Sequence, residues 1–327
     1  VMEASNSCIY QDLREITMTE QQPDDTSQGQ SDNNQDTPQK PKEKTEREVE
    51  RREEDKDFTP VIVKRTDEAQ RHPDDILQKA IGEGLEQLAR PAFSLFLSAM
   101  AAGLILGFTA MSVAVVESQM LKLSGLEAGR LATALVYPLG FVLCIMSGTQ
   151  LFTEHTATAV YPVLDRQSDT KRLFRLWLIV LTGNLLGAVI SSGFLTATDS
   201  VIGASKGYVA IGHHLVAFSA GPLFLSALLA GWLMALGAWL VMATQPTLSQ
   251  IASIYMVTFI IGIGGLHHSI AGSVEIFTAY FISDDFTMLQ VVRFLVLAIL
   301  GNLAGGSIFV ALLNYGHIRK TQKKVQD

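Results

Sequence analysis

The sequence predicts an all-α membrane protein in which six transmembrane helices form an inverted 3+3 repeat with two broken helices. Three observations predict this fold. Six apolar blocks follow residue 91, and a helix needs about 20 apolar residues to cross a bilayer. Two of the blocks are too long for one straight span and carry glycines and polar residues in their middle. Three short motifs recur in the same order in both halves of the region.

The acidic character of the chain is confined to its N-terminal segment. Residues 1–91 hold 13 Lys and Arg against 22 Asp and Glu, whereas residues 92–327 carry a net charge of +2. We predict that residues 1–72 are disordered, because they offer no apolar stripe to bury. A partner-binding tail is the alternative for this segment. The acidic balance, without an aromatic-interleaved basic patch, argues against nucleic-acid binding.

Two further features of the composition bear on processing and redox chemistry. Cys8 lies in the polar segment and Cys144 in an apolar block, so we do not expect a disulfide bond. No positively charged stretch precedes an apolar one near residue 1, so we expect no cleavable signal peptide.

Residues 73–91 are predicted to form an amphipathic helix on the membrane surface. Pro73, Asp74 and Asp75 are typical of a helix start. Apolar residues then recur at helical spacing along one face. Such a helix lies in the bilayer interface and leads into the first span.

The six apolar blocks form the predicted transport domain, residues 92–316. The second and fifth blocks contain "SGTQLFTEHTAT" and "GIGGLHHSIAG". Backbone leaves a helix at membrane depth only where it lines a cavity or packs inside protein, and two such breaks in corresponding places predict a substrate path. We place the blocks at residues 92–116, 131–164, 173–197, 216–243, 250–282 and 290–315.

The motifs that recur define two repeats, residues 92–197 and 216–315. Because each repeat has three spans, an odd number, the second must enter the membrane from the opposite side, about a pseudo-two-fold axis in the membrane plane. The matching pairs, at offsets of 128, 115 and 118 residues, are "FLSAMAAG" with "FLSALLAG", "LFTEHTA" with "LHHSIAG", and "GNLLG" with "GNLAG".

The distribution of basic residues predicts that both termini are cytoplasmic. With that orientation residues 317–327 form a basic cytoplasmic tail, and the loops on the opposite side hold fewer basic residues. The inner set is Arg166, Lys171, Arg172, Arg175, Arg319, Lys320, Lys323 and Lys324, and the outer set is Lys122, Arg130, Lys206 and Arg293.

Five ionisable residues within the apolar blocks are candidates for function, because such groups are costly in a membrane. They are Glu154, His155, His267, His268 and Glu275. His268 is the strongest candidate, since it follows the break in the fifth block. The offset of 115 residues makes Thr153 its counterpart, so we expect the two to face each other. An imidazole there can lend a proton to a weak-acid anion in transit. The alternative is a buried neutral histidine that serves packing alone.

The sequence does not predict an enzyme. His267 and His268 are adjacent, so on a helix their side chains point about 100° apart and do not chelate one ion. The chain has no HExxH motif and no GxSxG motif. We therefore expect neither a metal nor another cofactor.

Four motifs resemble the signatures of the formate/nitrite transporter family: "GTQLFTEHTATAV", "GNLLGA", "GLHHSIAGS" and "GNLAGG". "HPDDILQKAIGEGL" resembles the family's N-terminal surface helix, so the resemblance covers residues 73–316. It implies an aquaporin-like protomer, a homopentamer in the bacterial inner membrane, and a separate pore in each protomer. It also implies that small monovalent anions such as formate or nitrite pass with a proton link.

The resemblance also implies which residues line the pore. The family's central histidine falls on His268 and its pore threonine on Thr153. The family's glutamate is replaced by His267, and Glu154 adds a carboxylate beside Thr153, so we include both among the expected pore residues. The expected apolar constriction consists of Phe141, Leu151, Phe152 and Ile261, with Tyr137 at an aromatic position.

Two departures from the family pattern leave other functions open. A family lysine that attracts anions aligns with Leu215, and Glu154 is an added acid; both changes work against anion attraction. The same fold could therefore form a pore for small neutral solutes. A third alternative is a membrane scaffold that transports nothing and displays its acidic segment to a partner.

Removal of residues 1–60 is expected to leave transport unchanged, because this segment has no apolar stripe with which to form or extend a core. The measurement is solute flux per pentamer in proteoliposomes for the full chain and the truncated one. A clear loss of flux in the truncated protein would instead assign a gating role to the segment.

Overall fold

The computed structural model describes residues 72–123 and 126–324, and the regular structure in these residues is entirely helical. The predicted disorder of residues 1–72 falls outside this range except at His72. Helix α1 spans Pro73–Ala89. The first repeat contains α2 (Ala92–Ile105), α3 (Gly107–Leu123), α4 (Leu126–Val136), α5 (Pro138–Met146), α6 (Phe152–Thr158), α7 (Tyr161–Leu164) and α8 (Thr170–Ala197).

Two helices connect the repeats, and the second repeat then follows with the same plan. The connecting helices are α9 (Asp199–Ile202) and α10 (Ser205–Val216). The second repeat contains α11 (Ala220–Ala243), α12 (Thr247–Gly264), α13 (Ser269–Ile282), α14 (Met288–Ala304), a π-helical segment (Gly305–Leu312) and α15 (Leu313–Lys324).

Six segments of the described chain are long and apolar enough to span a membrane, as the sequence predicted. They are Ala92–Leu123, Gly129–Met146, Thr170–Ala197, Ala220–Ala243, Thr247–Gly264 and Met288–Ile318. Two bounds differ from the sequence analysis. The span placed at 216–243 begins at Ala220, because residues up to Val216 belong to α10. The helix at the end of the second repeat continues to Lys324, beyond the predicted boundary at residue 316.

The local sequence explains where several helices begin. Thr287 and Gln290 form a capping box at the start of α14, each side chain bonding the other's backbone N–H. At the start of α8 the carboxylate of Asp169 accepts a hydrogen bond from the backbone N–H of Arg172 at 2.8 Å. Each cap satisfies an amide that the first helical turn leaves without a partner.

Helix α1 packs its apolar face against the protein itself. Ile76, Leu77 and Ala80 are buried, and α1 contacts α6, α7 and α11. At Gly84 the approach is so close that an added methyl group would overlap the ring of Pro162. Contact of this helix with the membrane surface stays a prediction, but its position is fixed by these protein contacts.

Both broken helices are interrupted at a glycine in the left-handed region. Gly148 ends the first helical part of one broken span with φ +68°, and Gly265 ends that of the other with φ +59°. A residue with a β-carbon is disfavoured in this conformation. Behind each glycine the chain turns extended and then re-enters a helix, α6 or α13.

The spans of each repeat approach closely at glycines. α2 packs on α8, and α11 packs on α14. A methyl group at Gly103 would overlap the backbone of Asn184, and one at Gly231 would overlap the backbone of Asn302. Small residues let membrane helices bring their backbones together in this way, so these two glycine contacts are equivalent in the two repeats.

The structure corrects the predicted register of the broken segments. Phe152 and Ser269 donate backbone hydrogen bonds to equivalent asparagines, Asn184 and Asn302, and the left-handed glycines 148 and 265 show the same spacing. The structural offset is therefore 117 residues, and the predicted offset of 115 is wrong. The counterpart of His268 is Leu151, not Thr153, because the backbone geometry of the break defines equivalence and the side chains there have diverged.

The substitution Gly231→Ala is expected to destabilise the protein by about 1–3 kcal/mol, since the added methyl group would meet backbone that cannot move aside. The matched control is Gly221→Ala on the same helix, where nothing lies within 4 Å of the added methyl group. Thermal unfolding in detergent measures both variants. Equal unfolding temperatures for Gly231→Ala and the unchanged protein would contradict the proposed close contact.

Candidate transport pore

The ends of the two broken helices are anchored by two asparagine side chains. The Oδ1 atom of Asn184 accepts a hydrogen bond from the backbone N–H of Phe152 at 2.8 Å. Its Nδ2 group donates to the carbonyls of Ala99 at 2.7 Å and Gln150 at 2.9 Å. One buried amide thus joins α8, α2 and the chain just before α6.

Asn302 makes the same three hydrogen bonds in the second repeat. Its Oδ1 atom accepts from the backbone N–H of Ser269 at 2.7 Å, and its Nδ2 group donates to the carbonyls of Ala227 at 2.7 Å and His267 at 3.0 Å. Backbone groups freed by a helix break have no water to bond in a bilayer. The two asparagines replace that water and fix the positions of Leu151 and His268.

The side chains of His268 and Thr153 meet in the protein interior, 2.8 Å apart between Nε2 and Oγ1. Both residues are 1% exposed. The Nδ1 atom of His268 caps α13 by accepting backbone hydrogen bonds from Ile270 at 3.2 Å and Ala271 at 3.1 Å. Because Nδ1 is an acceptor, the neutral ring carries its proton on Nε2 and donates it to the hydroxyl of Thr153.

Apolar side chains surround this polar pair. The ring of Phe141 stands edge-on to the imidazole of His268 with centroids 4.9 Å apart, and Tyr137 follows with its ring centroid 5.2 Å from that of Phe141. Leu151, Phe152 and Ile261 are buried as well. The five residues expected to form the constriction therefore lie in the interior. The structure places Phe141 directly beside the histidine.

A cavity of about 540 Å³, here called the wide cavity, opens beside Tyr137 and Ile261. It lies among the end of α3, the start of α4 and helices α10, α12 and α13. Its walls mix apolar side chains with charged ones of both signs. The polar and ionisable residues that line it are Glu117, Arg130, Thr133, Tyr137, His214 and Glu275.

Several of these cavity residues were not assigned to the site from the sequence. Glu117 and Arg130 stand near the ends of spans, where charged residues commonly face lipid headgroups, so no sequence signal separated them from ordinary flanking charges. His214 lies on α10, a helix that was not predicted. Its Nε2 atom is 3.2 Å from the carbonyl oxygen of Gly265, which places it over the helix break.

His267 is turned away from the wide cavity. Its Nδ1 atom lies 2.8 Å from the hydroxyl of Ser226, and its ring stacks on His214 with centroids 5.7 Å apart. Phe218 contacts the same imidazole edge-on. The side chains of the adjacent residues His267 and His268 thus point in different directions. The ring of His267 packs against the ring of His214.

Glu154 follows Thr153 in the first turn of α6, the helix that contacts α1. Its side chain is 14% exposed, and one carboxylate oxygen lies 3.9 Å from Nδ1 of His155. That nitrogen is nearer, at 3.0 Å, to the carbonyl oxygen of Leu151. Glu154 is therefore adjacent in sequence to Thr153 of the polar pair, but it does not line the wide cavity.

Comparison with known proteins assigns this arrangement to a family. The family model described as formate/nitrite transporter matches residues 74–316. The chain belongs to the formate/nitrite transporter family. As a member of this family it is a membrane transporter or channel and not an enzyme.

Related proteins share most of the membrane region. The inner membrane protein YfdC of Escherichia coli (strain K12) is 32% identical over 240 residues, 72% of this chain and 76% of that protein. A probable formate transporter of Methanothermobacter thermautotrophicus is 28% identical over 233 residues, 65% of this chain and 84% of that protein. The match thus extends over both repeats.

Solved structures of the family have the same fold. An FNT family ion channel superposes with a TM-score of 0.67 at 20% identity, covering 74% of this chain and 98% of that one. A structure titled pentameric formate channel with formate bound gives a TM-score of 0.62 at 23% identity, covering 68% and 96%. The predicted fold, six spans in an inverted repeat with two broken helices and an aquaporin-like protomer, is confirmed.

Proposed function

We propose that this protein is a channel or transporter for small monovalent weak-acid anions of the formate and nitrite type, and that the anion passes the hydrogen-bond donor of His268 together with a proton. Membership of the formate/nitrite transporter family supports the substrate class. The names of two relatives, a probable formate transporter and a formate channel of Haemophilus influenzae, point the same way.

The hydrogen bond between His268 and Thr153 is the observation that carries the proposal. A bare anion loses its hydration when it passes the apolar side chains around Phe141, and that loss costs several kcal/mol. The Nε2–H group of His268 and the hydroxyl of Thr153 offer donors to the carboxylate or nitrite oxygens at that place. A proton that travels with the anion removes the remaining charge, so the substrate crosses the constriction as a weak acid.

The assembly we propose is a homopentamer with one pore in each protomer. The solved relative titled pentameric formate channel supports this number. Large apolar side chains are exposed on the outer faces of the spans, and subunit contacts together with the lipid bilayer would cover them. They include Phe93, Phe174, Leu178, Phe194, Leu225 and Leu289.

We place the pentamer in a bacterial inner membrane with both termini in the cytoplasm. The Escherichia coli relative is named an inner membrane protein. The basic residues concentrate around the start of α8 and after residue 318, which favours a cytoplasmic location for both regions. In this orientation the wide cavity opens on the outer side and Glu154 lies toward the cytoplasm.

A pore for small neutral solutes is the second candidate function, because Glu117 and Glu275 line the wide cavity and would repel anions when ionised. One stopped-flow experiment on proteoliposomes separates the candidates. Formate, nitrite and acetate influx with internal acidification supports proton-linked anion passage. Glycerol influx without anion influx supports the neutral pore. If the protein transports none of these four solutes, the third alternative, a membrane scaffold, is supported.

Replacement of His268 is expected to abolish proton-linked uptake and leave the pentamer intact. His268→Phe removes both the donor to Thr153 and the helix cap, which is worth about 1 kcal/mol. His268→Asn keeps an acceptor for the cap but is too short to reach Thr153, so it isolates the loss of the donor. Both variants should reduce formate uptake at least about tenfold, which corresponds to the loss of one net hydrogen bond of about 1.4 kcal/mol.

The control for this experiment is His213→Asn, because His213 is exposed and contacts Asp285 at 3.3 Å. Size-exclusion chromatography checks the assembly of all three variants. Uptake by His268→Asn at the rate of the unchanged protein would remove the imidazole from the mechanism.

A further inference from the structure

Glu275 is a buried carboxyl group for which the proposed mechanism has no role so far. The residue is 5% exposed and lines the wide cavity. In the described part of the chain its carboxyl group forms no ion pair within 4.0 Å and no hydrogen bond. A buried polar group normally has a partner, so an unpartnered carboxyl facing a cavity points to a ligand or a proton.

The position of Glu275 relates it to the central pair. It lies on α13, seven residues after His268 and therefore about 10 Å further along the helix, on a similar face. Tyr137 and Ile261, which were predicted to line the constriction, border the same cavity. A solute that moves from the wide cavity toward His268 thus passes Glu275 before it reaches the apolar ring.

The charges that face Glu275 are few and mixed. Four titratable residues line the cavity with it: Glu117 on α3, Arg130 on α4, Tyr137 between α4 and α5, and His214 on α10. Further out on α10, His213 is engaged with Asp285, and Arg293 on α14 donates to the carbonyl of Phe218. The other helices that pack on α13 carry their titratable groups elsewhere: Glu154 and His155 on α6, and Lys171, Arg172 and Arg175 at the start of α8.

We propose that Glu275 is the proton-sensitive recognition residue of the wide cavity. The carboxyl group exchanges its proton with the aqueous solution that enters the cavity. In its protonated form it donates a hydrogen bond to the incoming anion. In its ionised form it repels that anion from the approach to His268. This inference rests on the proposed function, and it adds a second group, outside the central pair, that makes anion entry depend on pH.

The effect on flux follows from Coulomb repulsion. Two like charges a few ångströms apart at the edge of a protein cavity repel strongly enough to change occupancy by about tenfold or more. Deprotonation of Glu275 should therefore lower the flux of an anion beyond the loss caused by the falling fraction of the neutral acid. A glutamine at this place stays uncharged and still offers an N–H donor, so it should lack that additional loss.

The experiment measures exchange of labelled formate in proteoliposomes with equal pH on both sides, so that the orientation of the protein does not matter. The quantity compared is the ratio of flux in Glu275→Gln to flux in the unchanged protein, which cancels the protonation of formate itself. We expect a ratio that rises with pH between about pH 4 and about pH 8, from near one where Glu275 is protonated to about tenfold where it is ionised. Glu275→Asp, which keeps a carboxyl group, should follow the unchanged protein.

The matched control is Asp285→Asn, which also neutralises a carboxylate, since Asp285 is exposed and contacts His213 outside the residues that line the wide cavity. Its flux ratio should be flat across the pH range. If Glu275→Gln does not assemble as a pentamer, Glu275→Ala gives the same reading, because it is also uncharged. A flat ratio for the neutral variant with active unchanged protein overturns this inference alone. Absence of formate flux in the unchanged protein overturns the proposed function with it.

Discussion

Two buried amides, those of Asn184 and Asn302, make the broken helices possible. Each satisfies one backbone N–H and two carbonyl groups. At membrane depth an unsatisfied backbone group costs several kcal/mol, so each break would be strongly destabilised without its asparagine. The breaks in turn place Leu151 and His268 as the first residues before α6 and α13. The polar centre of the protein therefore depends on side chains that do not line the cavity.

The sequence allowed prediction of the fold because its determinants are local and repeated. Glycines 103 and 231 mark the close helix contacts, and "GNLLG" and "GNLAG" carry the anchoring asparagines. The register of the broken segments was wrong by two residues, because "TQLFT" and "LHHSI" share no side chain that reports their common backbone. The contact between Thr153 and His268 was nevertheless anticipated. It arises because the two half-helices approach each other, not because these residues are equivalent.

The part of the site that sequence reasoning missed is the part built by tertiary packing. Helix α10 brings His214 over the break at Gly265, and nothing in residues 205–216 indicates that destination. The direction of each histidine in the pair 267 and 268 is likewise set by partners distant in the chain: Ser226 holds one ring and Thr153 the other. Side-chain type identified which residues were costly to bury. Only the fold decided which of them face the cavity.

The cap on α13 constrains how the central histidine can act. Nδ1 of His268 accepts two backbone hydrogen bonds, from the N–H groups of Ile270 and Ala271. A second ring proton would have to bind at Nδ1 and would break both of these bonds. The resulting positive charge would also lie at the positive end of the α13 dipole. The ring is thereby kept as a donor through Nε2 alone. A donor that is itself uncharged stabilises an anion less than a cation would. The charge of a passing substrate must then be compensated by a proton that it carries, and this makes ionisable groups along the approach, such as Glu275, decisive for what enters.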